Sequence, residues 1–122
     1  MLKDIKYYTY MLRCEDNSIY TGITTDLNRR FSEHINKTEK CAKYTLKHQV
    51  TKIEIAWESD SRKLACKLEY YIKKNTKMNK EKIIENNNLD IISNKIDTNE
   101  YRQVELKNII NKNNSMKKAN FY

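Results

Sequence analysis

An arginine, a glutamate and a crowd of tyrosines give this chain its chemical possibilities. Leu27, Phe31 and Ile35 recur at helical spacing. At 100° per residue, Arg30 and His34 lie beside that apolar stripe, one turn apart. Arg29 and Glu33 are expected on the far, solvent side. A guanidinium held where a helix meets a sheet suits phosphate, which it grips with two parallel hydrogen bonds. The ordinary alternative is an arginine with its stem on the core and its head in water. His34 reads more simply as a satisfied edge histidine than as a catalytic one. Glu69 falls at the margin of the apolar arc of a second helix, next to Ala65 and Ile72. A carboxylate there can hold a divalent cation through oxygen. It can equally pair with Lys73, four residues on.

Nine tyrosines are many for 122 residues, and Tyr7, Tyr8, Tyr10 and Tyr20 crowd two short segments. Between those segments Cys14-Glu15-Asp16-Asn17-Ser18 carries turn chemistry. With Asp16-Asn17-Ser18 as the hairpin loop, Tyr10 falls opposite Thr24 and Leu12 opposite Gly22, and Tyr10 and Tyr20 share one face. A two-residue loop would put them on opposite faces. Gly22 is the only glycine of the chain, and there is no proline. A glycine inside a strand marks a bulge or a place where another group approaches the backbone closely.

Regular elements must hold these groups in place. The sequence predicts strands over Tyr7 to Arg13 and Ile19 to Thr24, then a helix to about Asn36 capped by Thr25 or Asp26. Residues 37–50 read as a basic, polar loop. Ile53, Ile55 and Trp57 alternate with polar residues as a half-buried strand. Ser59, Asp60 or Ser61 caps the helix that carries Leu64, Ala65, Leu68, Tyr71 and Ile72, and another helix follows from about Met78 to Glu85. The expected fold is α+β: a small three-stranded, at least partly antiparallel sheet flanked by helices, in residues 1–85. Residues 86–122 open with Asn86-Asn87-Asn88 and read as an asparagine-rich extension. One helix there would be lined by Tyr101, Val104, Leu106, Ile109 and Ile110, followed by a frayed end.

The formal charge is +8. Residues 1–84 hold 18 Lys and Arg against 11 Asp and Glu, a net of +7, whereas residues 85–122 hold 6 against 5, a net of +1. A basic globular part suits a polyanion, most simply nucleic acid. A lysine-rich composition that merely keeps the chain soluble is the competing account. No run of 18 apolar residues exists and the N-terminus lacks a long apolar stretch, so the expected location is cytoplasmic, away from membranes. Cys14, Cys41 and Cys66 are widely spaced, with no C-x-x-C pair. They read as reduced, mostly buried thiols rather than a disulfide framework or a zinc site.

Each signal alone is weak, but their order and spacing are specific. Tyr8-Thr9-Tyr10 and Tyr20-Thr21-Gly22 are followed by Asp26 through His34, then by Ala42-Lys43-Tyr44-Thr45, then by Ala65 through Lys74. Over about residues 6–84 the chain resembles the GIY-YIG nuclease family, in particular its short stand-alone bacterial members. It departs from the family pattern at Tyr8, Thr9 and Thr21.

The resemblance implies a divalent-metal-dependent endonuclease that hydrolyses DNA phosphodiester bonds, structure-selective in DNA repair or recombination. RNA is left open as a substrate. Tyr10 and Tyr20 match the motif tyrosines, Gly22 the motif glycine, Arg30 the catalytic arginine and Glu69 the glutamate that holds Mg²⁺ or Mn²⁺. Tyr20 is favoured as the base, with Tyr10 as its orienting partner, although the two can be exchanged. His34 would relay a proton or fix the phosphate. Lowering a tyrosine from about pH 10 to about 7 requires roughly 4 kcal/mol of phenolate stabilisation. Asn75, Asn79 and Asn86 are candidates for a further asparagine of the site. Lys43, Tyr44 and Lys47 are expected to bind nucleic acid through backbone phosphate and base stacking. The alternative is a non-catalytic nucleic-acid-binding module on the same fold.

Overall fold

A computed structural model describes residues 4–37 and 43–107. Strands β1 (Tyr7–Cys14) and β2 (Ile19–Thr24) form the hairpin that the turn residues predict. The loop is Glu15-Asp16-Asn17, one residue earlier than expected. Asp16 Oδ1 accepts from the Ser18 amide and hydroxyl, and Asn17 takes a left-handed φ of 70°. A left-handed third residue is the usual way to close a three-residue hairpin loop. The register therefore moves by two: Tyr10 lies opposite Gly22, Leu12 opposite Tyr20 and Tyr8 opposite Thr24. Because the shift is even, Tyr10 and Tyr20 still share a face.

Helix α1 (Leu27–Asn36) starts at Asp26, whose carboxylate accepts from the Arg29 amide. The segment read as a loop contains a five-residue helix, α2 (Lys43–Lys47). Strand β3 (Val50–Ser59) leads to α3 (Arg62–Lys73), capped by Ser61, and to α4 (Lys77–Asn86), capped by Thr76. Short 3-10 turns follow at Asp90–Ile92 and Thr98–Glu100. Strand β4 (Arg102–Gln103) then pairs with β3. The sheet has four strands rather than three, in the order β2-β1-β3-β4, and every pairing is antiparallel.

Both faces of the sheet are covered. The alternation of Ile53, Ile55 and Trp57 predicts one shared face, but the β1–β3 register shifts between Met11↔Ile55 and Leu12↔Ile53. Glu54 is the extra residue of a bulge, and an extra residue sends the chain beyond it to the opposite face. Ile53 accordingly joins Tyr10, Leu12, Leu27, Phe31 and Ala56 in a core under α1. Ile55 and Trp57 join Met11, Leu68, Ile72 and Ile83 in a second core under α3 and α4. The Thr9 hydroxyl donates to the Ala65 carbonyl at 3.1 Å, which pins α3 to the sheet.

The chain after residue 86 completes that second core. Leu89, Ile92, Ile96 and Tyr101 are buried in it, and the Tyr101 hydroxyl donates to the Leu64 carbonyl at 2.7 Å. Burial pushes the Tyr101 phenol up to about 12. The helix expected around Tyr101, Val104 and Leu106 does not form. Arg102 and Gln103 pair with Glu58 and Trp57, and the Val104 amide bonds the Ala56 carbonyl. A helix would put Tyr101 and Val104 on one side. The extended chain instead sends Tyr101 to the α3 core and Val104 and Leu106 to the α1 core. Ile109, Ile110 and the expected frayed end lie outside the described residues, as does Cys41. Cys14 is buried and Cys66 half-buried, both as free thiols.

Arg13 ties α4 to the sheet. Its guanidinium makes two 2.6 Å bonds to Glu81 and a 2.9 Å bond to Glu54, with only 13% of the side chain exposed. Removing the charge leaves two carboxylates without their main partner, so Arg13→Met is expected to cost about 2 kcal/mol at neutral pH in urea denaturation. The Arg13 bonds hold the Glu81 carboxyl down at about 2. A carboxyl depressed in the folded state stabilises fully above its unfolded value near 4.3 and loses that contribution as pH falls through about 2. The gap between parent and Arg13→Met should therefore narrow from about pH 5 downward.

Candidate active site

The site is built around the hydroxyl of Tyr10. The first strand delivers this side chain to the α1 face, where it is almost fully buried, and Gly22 is its cross-strand neighbour. Gly22 has no positive φ, so its role is space rather than backbone freedom. A Cβ there would lie 2.5 Å from Tyr10 Oη, 2.7 Å from Tyr10 Cζ and 2.9 Å from Tyr20 Cε2. Both phenol rings close over a gap that only hydrogen can leave open. Of the two readings of this glycine, close approach is the correct one.

His34 Nε2 is 2.8 Å from Tyr10 Oη, and His34 Nδ1 is 2.8 Å from the Thr45 hydroxyl on α2. Histidine and threonine are both fully buried. Burial first, and then the nearby Arg30 charge, push the imidazole down to about 4, so it is neutral at physiological pH. Both ring nitrogens are engaged inside the protein. His34 is thus the satisfied histidine of the sequence reading, with both nitrogens turned to protein partners.

Arg30 donates to Glu33 Oε1 at 2.9 Å, and its charge acts on the same phenol. Burial works against its charge, but these two partners outweigh burial and keep the guanidinium ionised. Glu33 is not on the far solvent side: its side chain is 16% exposed and faces Arg30. Burial pushes the Tyr10 phenol well above its ordinary value, the neighbouring Tyr20 and Glu69 add to that, and Arg30 opposes it. Tyr10 therefore keeps its proton. Glu69 on α3 pairs with Lys73, whose Nζ stands over the Tyr20 ring, so a carboxylate and its cation from α3 lie beside the tyrosine pair.

Tyr20 is half-buried and stands at the centre of the rings. Its centroid is 6.3 Å from Tyr10, 5.4 Å from His34 and 5.7 Å from Tyr44. Lys73 Nζ lies 5.6 Å over it and 3.3 Å from Glu69 Oε2. The Lys73 pairing is thus real, but it is made beside the tyrosines rather than on a distant surface. Tyr44 also stacks on His48 at 4.1 Å, and His48 bonds Asp16 at 2.7 Å. The Tyr44 ring is engaged within the protein instead of standing free for a base. Lys43 and Lys47 are exposed on the same short helix. Beside Arg30, a cleft of about 400 Å³ is lined by Arg29, Arg62, Tyr7, Thr25 and Glu33.

A model of the GIY-YIG catalytic domain matches residues 6–83. The chain belongs to the GIY-YIG family. A UPF0213 protein of Fusobacterium nucleatum is 55% identical over 78 residues, covering 64% of this chain and 76% of that protein. A UPF0213 protein of Limosilactobacillus reuteri is 39% identical over 89 residues, covering 71% and 91%. The UPF0213 protein YhbQ of Salmonella typhimurium is 40% identical over 78 residues, covering 64% and 76%. Among solved structures, the UPF0213 protein of Bacillus halodurans has a TM-score of 0.40 and 28% identity, covering 66% of this chain and 83% of that one.

GIY-YIG nucleases typically use a divalent metal, and the donor set here fits one kind of ion. No group of three or more His, Cys, Asp or Glu side chains that could hold a metal occurs among the described residues. A single half-buried carboxylate, Glu69, suits Mg²⁺ or Mn²⁺, because Mg²⁺ keeps several waters and takes one or two carboxylates plus substrate phosphate. Of the asparagines, Asn75 donates to the Tyr71 carbonyl and Asn79 to Asn75 Oδ1, so this pair joins α3 to α4, while Asn86 ends α4 in solvent. Glu33, Thr45, Arg62 and Lys73 join the site without having been assigned to it from sequence. No helix among the described residues is long and apolar enough to cross a membrane.

Proposed function

We propose that this protein is a metal-dependent endonuclease acting on DNA in the cytoplasm, selective for branched or flapped forms that arise in repair or recombination. The observation that carries the reading is the close pair Tyr10 and Tyr20, with the Glu69–Lys73 ion pair standing beside Tyr20 and the Arg30 charge acting on the Tyr10 phenol. A divalent ion, when bound, polarises the phosphate and stabilises the leaving oxygen. Glu69 would hold it. Arg30, already fixed by Glu33, neutralises charge on the non-bridging oxygens without reorganising. Tyr20, once its own hydroxyl proton has passed to solvent, orients the attacking water and takes its proton, since Tyr10 is too deeply buried to meet it. Tyr10 and His34 hold Arg30 and Tyr20 in place from behind. Arg29 and Arg62 in the cleft, with Lys43 and Lys47 on α2, follow the phosphate backbone.

Charge-balanced preorganisation of this kind has no use in a module that only binds, which favours catalysis over the non-catalytic alternative. The test is a cleavage screen over duplex, single-stranded, flap and branched DNA and matching RNA, with Mg²⁺ or Mn²⁺ and then with EDTA. Metal-dependent nicking that stops on chelation is expected. Salt-dependent binding with no cleavage of any substrate would leave only the binding module.

A further inference from the structure

Proton positions follow from the partners of one buried oxygen. Tyr10 Oη is almost fully buried, and its hydrogen-bonding partner among the described residues is His34 Nε2 at 2.8 Å. A hydroxyl hydrogen needs an acceptor when buried. The phenol hydrogen therefore goes to Nε2. An imidazole nitrogen that accepts carries no proton, so the neutral ring carries its proton on Nδ1. That nitrogen is 2.8 Å from Thr45 Oγ1, which must accept it. No buried side-chain polar atom among the described residues lacks a partner, and the chain of bonds runs from Tyr10 through His34 to Thr45.

We propose that Thr45 is a positioning residue that holds His34 in its Nδ1–H form and thereby turns the Tyr10 hydroxyl hydrogen inward, away from the reacting surface. With the opposite tautomer, Nε2–H would donate to the phenol oxygen and the hydroxyl hydrogen would have no acceptor. The Tyr10 ring would shift, and with it Arg30 and the adjoining Tyr20. Thr45 does this from α2, whose neighbouring residue Tyr44 stacks on Tyr20. One short helix thus steadies both tyrosines. The effect on rate rests on the nuclease reading; the tautomer does not.

The experiment is two-dimensional ¹H–¹⁵N spectroscopy of histidine-labelled protein, in which His48→Gln assigns the two imidazoles of the chain. The expected result for the parent and for Thr45→Ser is a protonated Nδ1 and a bare Nε2 at His34. For Thr45→Val, a shift toward Nε2–H is expected. In cleavage assays Thr45→Val should lower kcat by about tenfold with KM for DNA unchanged, the size of effect a lost positioning hydrogen bond gives, and Thr45→Ser should restore it. An Nε2–H ring in the parent overturns the proposal whatever the cleavage assay gives. So does a Thr45→Val protein that keeps both the Nδ1–H form and the parental rate. A parent with the Nδ1–H ring that cuts nothing sinks the nuclease reading and leaves the tautomer assignment standing.

Discussion

Glu69→Gln is expected to lower metal-dependent cleavage by at least about 10³-fold while leaving DNA affinity equal or higher. The substitution keeps the shape of the side chain and removes its charge. On the proposed reading, with no cluster of further ligands among the described residues, that charge is the protein's main hold on the ion. Metal polarisation of a phosphoryl oxygen supplies several kcal/mol of transition-state stabilisation, and each 1.36 kcal/mol is about a factor of ten in rate. Affinity moves the other way because a carboxylate repels the phosphate that must pass it. Single-turnover cleavage and fluorescence-polarisation titrations measure the two effects, and Mn²⁺ binding by the free protein supplies a third. A Glu69→Gln protein that cuts as fast as its parent would remove Glu69 from the metal role.

The second large effect is expected at Gly22. In Gly22→Ala the new methyl group would sit 2.5 Å from Tyr10 Oη and 2.9 Å from Tyr20 Cε2, so both rings must move. The far end of Tyr10 is not free to swing, because its hydroxyl is fastened to the buried His34. Forcing an extra methyl into packed surroundings costs about 1–3 kcal/mol. Displacing a positioned group by about 1 Å can cost about 10² in rate. The variant should therefore lose stability in denaturant and about two orders of magnitude in kcat together. Parental stability and rate in Gly22→Ala would mean that the rings tolerate separation and that the tight tyrosine pair is incidental.

What the sequence revealed follows from how strongly each signal repeats. The α1 helix and its Asp26 cap are legible because Leu27, Phe31 and Ile35 recur at one period and an acidic residue precedes them. The same wheel that placed Arg30 at the sheet edge should have placed Glu33 beside it, since residues three apart on a helix are neighbours. The face of Ile53 was not legible. A bulge at Glu54 leaves the apolar alternation intact in the sequence while inverting it in space. The five residues of α2 and the two of β4 are too short for any period to register, so Thr45 stayed unassigned inside a motif that was noticed. The hairpin loop was misplaced by one residue because Asp16, Asn17 and Ser18 are all good turn formers, and only the left-handed Asn17 decides between frames.

The burial of Leu89, Ile92, Ile96 and Tyr101 bears on how this chain can be cut down. A fragment ending near residue 84, where the family resemblance stops, would strip the lid from Trp57 and Ile83 and wet an oily floor directly beneath the helix that carries Glu69. Anyone shortening the chain to a minimal nuclease would be removing the keel along with the tail, and a sticky, misaligned product should be the result.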